Sequence, residues 1–140
     1  MLASPRILLV DDNESGLAAR KMVIEELGYV VTTAAGPAEA LRYFVPGQFA
    51  LVVTDYKFPE MNGLQLISAL RRQDPDVPVV LISGFADALG MSEASTGANV
   101  VLQKSATEVQ QLIRTVNRLL KGKKPVKRQT RPSKRQSASA

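Results

Sequence analysis

Ile7-Leu8-Leu9-Val10-Asp11-Asp12 and Leu51-Val52-Val53-Thr54-Asp55 are short apolar runs, each closed by carboxylates. Apolar runs this continuous suit strands covered on both faces of a parallel sheet. Asp11, Asp12 and Asp55 then stand at strand C-termini, the edge of an open α/β sheet where ligands bind. Three carboxylates gathered there repel one another, and on this reading only a bound cation makes the arrangement tolerable. Oxygen-only coordination by acids suits Mg²⁺.

The same alternation continues along the chain. Tyr29–Thr33, Val79–Ser83 and Val100–Leu102 are three further runs, the first less uniformly apolar and so nearer a sheet edge. Helical patterns follow each strand. The first spans about Glu14 to Leu27 and stops at Gly28, a left-handed terminator. Its face carries Leu17, Val23, Ile24 and Leu27, with Arg20 among them and expected to snorkel outward. Pro37 opens the second helix and Pro46-Gly47 closes it. The third begins near Gly63, includes Leu64, Ile67 and Leu70, and ends before Asp74-Pro75. The fourth, about Asp87 to Ser95, is weakened by Gly90, Ser92 and Ser95. Val109, Leu112, Ile113, Val116, Leu119 and Leu120 mark the fifth, with Ser105-Ala106-Thr107-Glu108 as a capping box at its start. The expected fold is therefore α/β: a flavodoxin-like (βα)₅ doubly wound domain with helices on both faces. Its five-stranded parallel sheet, in order 2-1-3-4-5, opens a crevice above strands 1 and 3, where the acids stand.

Composition narrows the chemistry. The 140 residues include no Cys and no His. Disulfides, thiolate zinc sites and a Ser–His catalytic pair are thereby excluded. No nucleotide-binding loop of the G-x-x-x-x-G-K-[ST] type is present. The N-terminus has no secretory pattern and no segment approaches the length of a membrane helix, so a cytoplasmic protein is expected. The net charge of +5 is unevenly spread: residues 1–120 carry 10 Lys/Arg against 13 Asp/Glu, while residues 121–140 carry 8 and no acid. Residues 1–121 read as the folded domain. Residues 122–140 read as a basic, disordered tail or linker, with too little apolar surface to offset ordering entropy.

Val10-Asp11-Asp12, Thr54-Asp55 with Pro59-Glu60-Met61-Asn62-Gly63, Ser83-Gly84, Gly97-Ala98 and Lys104 follow one another in register with the strand ends. Over about Arg6 to Leu120 the chain resembles the receiver domain of two-component response regulators. The resemblance implies Asp55 as phosphoacceptor, a carboxylate nucleophile already ionised at neutral pH. It implies Mg²⁺ held by Asp11, Asp12, Asp55 and the backbone carbonyl of Lys57, although Asp12 or Asn13 also suits the N-cap of the first helix. Ser83 and Lys104 would contact the phosphoryl group. The surface of the fourth helix, fifth strand and fifth helix would then meet an unidentified downstream protein. A sensor histidine kinase or histidine phosphotransfer protein would be the donor, and the protein a monomer or a weak phosphorylation-dependent homodimer. Apart from its own phosphorylation and hydrolysis, no enzymatic activity is implied.

The chain also departs from that pattern. Val101 stands where the family usually has a switching aromatic. Ser105 replaces the proline after the lysine, so the Lys104–Ser105 bond is expected trans, a non-proline cis bond costing about 2.5–4 kcal/mol. Lys57 and Phe85 flank the site and are candidates for controlling water access. Two other readings stay open: binding of nucleic acid or an acidic surface through the basic tail, and a receiver-like scaffold with altered switching.

Overall fold

The computed structural model describes residues 4–84 and 90–121. Ten elements alternate along the chain: β1 (Arg6–Val10), α1 (Glu14–Glu26), β2 (Val30–Ala34), α2 (Pro37–Tyr43), β3 (Leu51–Asp55), α3 (Gly63–Gln73), β4 (Val79–Ser83), α4 (Glu93–Thr96), β5 (Val100–Gln103) and α5 (Glu108–Lys121). The strands form one sheet in the order β2-β1-β3-β4-β5, and every neighbouring pair is parallel. Fold class and strand order are as the sequence leads one to expect. Gly28 has φ +100° at the end of α1, the left-handed conformation that glycine adopts without strain.

Side-chain alternation along the strands makes two cores. Leu8, Val10, Val52 and Leu81 face Phe44, Leu66, Ile67 and Leu70, so α2 and α3 cover one side. Ile7, Leu9, Val53 and Ile82 face Ile24, Leu112, Val116 and Leu120, which places α1 and α5 on the other. β1, β3 and β4 lie inside the sheet, which is why their runs are apolar at nearly every position. Edge strand β2 leaves Val30 exposed and Thr32 and Thr33 half-buried.

Four local expectations change, the first being the fourth helix, which begins only at Glu93 and leaves residues 90–92 outside it. Arg20 does not snorkel outward: it is 6% exposed, because acids on neighbouring elements neutralise it. The capping box expected at Ser105–Glu108 does not form, since Glu108 turns its carboxylate to Arg20. Ser105 instead accepts a bond from the backbone N–H of Thr107 at 3.2 Å. Val109, assigned to the apolar face of the fifth helix, is exposed at the first turn of α5. All peptide bonds of the described residues are trans, including Lys104–Ser105. Phe85, the first part of the expected fourth helix (87–89) and the tail (122–140) lie outside the described residues. No helix of the described residues is long and apolar enough to cross a membrane.

Candidate functional site: an acid pocket at the C-terminal edge of the sheet

Parallel pairing of β1 with β3 matches Val10 to Thr54. The residues that follow, Asp11 and Asp55, are therefore brought side by side where both strands end. One ligand oxygen from each of Asp11, Asp12 and Asp55 lies within 4.8 Å of the others. Asp11 and Asp55 are buried and Asp12 is exposed. Asn13, not Asp12, is the N-cap of α1: its Oδ1 accepts the Gly16 N–H at 2.8 Å. Asp12 is thus left to face the crevice. Asp11 Oδ1 accepts the Asn13 N–H at 2.9 Å, fixing the orientation of the buried carboxylate.

β4 and β5 bring the opposite wall. Ser83 pairs in register with Gln103, and the Lys104 N–H donates to the Ser83 carbonyl at 2.9 Å. From there Lys104 Nζ reaches Asp55 Oδ2 at 3.3 Å, with its side chain 43% exposed. Ser83 is buried and lines a crevice of about 510 Å³ together with Asp12, Asp55, Lys57, Phe58 and Lys104. Val101 lies half-buried against the α2/α3-side core.

The β3–α3 loop returns to the strand at Gly63, whose N–H donates to the Tyr56 carbonyl. A Cβ at Gly63 would come within 2.6 Å of the Asp55 carbonyl and 2.8 Å of Leu81 Cδ1. Glycine is therefore demanded here by close approach, and the loop carrying Lys57, Phe58 and Pro59 is held over the crevice.

Arg20 is the site residue that the sequence reading missed. Its Nη1 donates to Asp11 Oδ2 at 2.8 Å and to Asp55 Oδ1 at 3.2 Å. Its Nε and Nη2 both reach Glu108 Oε2 at 2.8 Å. The signal was present as a cation on the core-facing side of a helix, a position that is expensive unless acids meet it. Those acids come from β1, β3 and α5, and no local pattern announces their convergence. The acids are therefore not dependent on a metal alone for compensation: Arg20 and Lys104 supply two positive charges from within the chain.

Burial pushes the Asp55 carboxyl up from 3.8 to about 7. That value is the net result: after burial, a side-chain hydrogen bond to Asp11 contributes to the rise, Arg20 opposes it, Asp11's charge adds to it and Lys104 opposes it. Full ionisation of Asp55 at neutral pH consequently requires more positive charge than these two side chains provide. Arg20 is held above its ordinary value: burial would lower it, but the charges of Asp55, Glu108 and Asp11 outweigh that effect.

A family model, the response regulator receiver domain, matches residues 7–117. The chain belongs to this family. Transcriptional regulatory protein PrrA of Mycobacterium bovis is 38% identical to this receiver over 82 residues, covering 59% of the chain and 35% of PrrA. The receiver thus spans about a third of the length of the first curated relatives it matches. Among solved structures, a receiver domain from Clostridium thermocellum superposes with a TM-score of 0.75 at 27% identity, covering 86% of this chain and 97% of that one. Response regulator TrrA of Thermotoga maritima, crystallised with Mg²⁺-BeF, gives 0.73 at 28% identity over 83% of this chain and 99% of that one.

Proposed function

We propose that this receiver is a phosphorylation switch in which Asp55 accepts a phosphoryl group. The observation that carries the proposal is the meeting of Asp11, Asp12 and Asp55 at one sheet edge, with Lys104 3.3 Å from Asp55. An Asp55 carboxylate oxygen attacks phosphorus, a P–O bond forms, and the donor's bond to phosphorus breaks with its electron pair leaving on the donor. For transfer from a histidine kinase or a histidine phosphotransfer protein, the leaving group is an imidazole. Ser83 donates its hydroxyl, and Lys104 its ammonium, to oxygens of the transferred group.

The donor set fits a hard divalent ion, being three carboxylates with only oxygen to offer. Asp11, Asp12, Asp55 and the Lys57 carbonyl would hold Mg²⁺, with Asp12 the accessible member. When bound, the ion supplies positive charge that screens the acids from the incoming phosphoryl oxygens. Phosphorylation adds about −1.5 to −2 charge at the edge of β3 and draws Lys104 and Ser83 toward it. Both residues are fastened by the Lys104 N–H to Ser83 carbonyl bond, so β4 and β5 respond together. The consequence is altered binding of a downstream protein at the α4-β5-α5 face, in the cytoplasm, where a kinase partner acts.

The test is incubation with Mg²⁺ and a small phosphodonor, followed by intact-mass measurement beside Asp55→Asn. Wild type is expected to gain one phosphoryl group and the variant none. A beryllofluoride titration followed by NMR covers the case of fast hydrolysis; a protein that responds to neither reagent is not a phosphoacceptor.

A further inference from the structure

Arg20 projects from α1 toward the core side, one turn before the buried Ile24. Its side chain is 7% exposed, yet each of its three nitrogens has a carboxylate partner. Two of those partners, Asp11 and Asp55, are acids proposed above to hold Mg²⁺. The near side of Asp11 Oδ2 is kept clear for the guanidinium: a Cβ at Gly16 would come within 2.9 Å of that oxygen. Once Asp55 is ionised, Asp11, Asp12, Asp55 and Glu108 against Arg20 and Lys104 leave a formal surplus of two negative charges, the charge of one divalent ion.

A divalent ion and a guanidinium cannot share these oxygens freely. Mg²⁺ draws its oxygen ligands to about 2.0–2.1 Å and tolerates little distortion. A positive charge held 2.8 Å from Asp11 and 3.2 Å from Asp55 repels that ion in a poorly solvated pocket. Glu108 offers an alternative seat. Nε and Nη2 are already on its Oε2; because the guanidinium is a rigid plane, Nη1 leaves the acid pair only when the whole group shifts toward Glu108, keeping that carboxylate as its partner.

We propose that Arg20 is an internal counter-ion that holds Asp11 and Asp55 in the metal-free protein and competes with Mg²⁺ for them, with Glu108 as the seat to which it withdraws. The inference rests on reading the acids as a Mg²⁺ site. It makes Arg20 a positioning residue that sets metal affinity. It also ties occupancy of the pocket to Glu108, the first residue of α5.

The test measures Mg²⁺ binding by titration calorimetry on the full, unphosphorylated chain, so it does not depend on Asp55 accepting phosphate. Arg20→Met is expected to bind Mg²⁺ at least about tenfold more tightly, because a nearby repelling charge is removed. The same variant melts lower in chelator and shows a larger rise in Tm on adding Mg²⁺. Glu108→Gln, which removes the charge of the seat and so favours Arg20 on the acid pair, is expected to weaken Mg²⁺ binding by about threefold or more. A purely structural role would weaken both variants, so the opposed directions are diagnostic. Arg20→Met within about twofold of wild type, or weaker, overturns the proposal. Should Arg20→Met fail to fold, Glu108→Gln decides alone, and unchanged or tighter binding overturns it. Absence of Mg²⁺ binding in all three proteins overturns the metal-site reading together with this one, whereas binding that persists without the opposed shifts overturns only the role of Arg20.

Discussion

Asp55 carries opposing demands on one side chain. Burial is the main cause that holds its carboxyl up at about 7, whereas the phosphoacceptor role proposed above needs it ionised. Because the folded value lies above the ordinary 3.8, the protonated form stabilises the metal-free protein fully below about pH 4, and that stabilisation is lost as pH rises through 7. Asp55→Asn is neutral at every pH. In chelator its urea midpoint should therefore lie close to wild type at pH 4 and well above it at pH 8. A midpoint difference that is the same at both pH values would contradict the shift. Gly63 makes a steric demand. A Cβ there meets the Asp55 carbonyl at 2.6 Å, and backbone cannot move aside as a flexible side chain can. Gly63→Ala should cost about 1–3 kcal/mol in urea unfolding and displace the Lys57–Pro59 segment; unchanged stability would show that the loop yields. Gly63 was legible in the sequence as the start of a helix and the end of the Pro59–Gly63 motif, with no sign of a steric demand. The packing that requires it comes from Asp55 and from Leu81 of β4.

At the scale of elements, helix starts illustrate what local sequence does and does not reveal. α3 begins with a capping box: Asn62 Oδ1 accepts the Gln65 N–H, and Gln65 Oε1 accepts the Asn62 N–H, both at 2.9 Å. The spacing Asn-x-x-Gln is a local signal that the sequence carries in full. Asn62→Ala should destabilise by about 1 kcal/mol, seen as a lower urea midpoint with unchanged slope; an unaltered midpoint would mean that the cap contributes nothing. The Ser105–Glu108 spacing looked equally good at α5, yet a buried guanidinium claimed the glutamate. Local capping yields when a stronger, charge-assisted partner is within reach. α1 shows the same competition: its apolar periodicity identified the helix, but the identity of the residue at position 20 concealed which neighbours it meets.

For the whole molecule, charge is divided between two regions. Residues 1–120 carry an excess of acid and residues 121–140 carry eight cations. Attraction to nucleic acid at low salt is expected to belong to the tail. Full chain and a form ending at Lys121 should differ in affinity for duplex DNA at low salt and converge as salt rises, measured by fluorescence anisotropy. Equal binding by the two at low salt removes that alternative. A metal that binds only the folded state should also stabilise it, by about 2.7 kcal/mol when present at a hundred times its Kd. The Tm of the full chain should climb with Mg²⁺ concentration and fall back with chelator; an indifferent Tm would argue against a site in the acid pocket.

Strand runs, their parallel order and the sheet edge bearing Asp11, Asp12 and Asp55 were all determined by the sequence. Burial on both faces writes itself into consecutive apolar residues, and right-handed crossovers leave few ways to wind them. Tertiary structure alone decided that Arg20, beside the legible Lys104, neutralises those acids. Arg20 and Glu108 stand 88 residues apart, and an ion pair between distant elements leaves no periodic trace, because its energy depends on where folded surfaces meet rather than on neighbours along the chain.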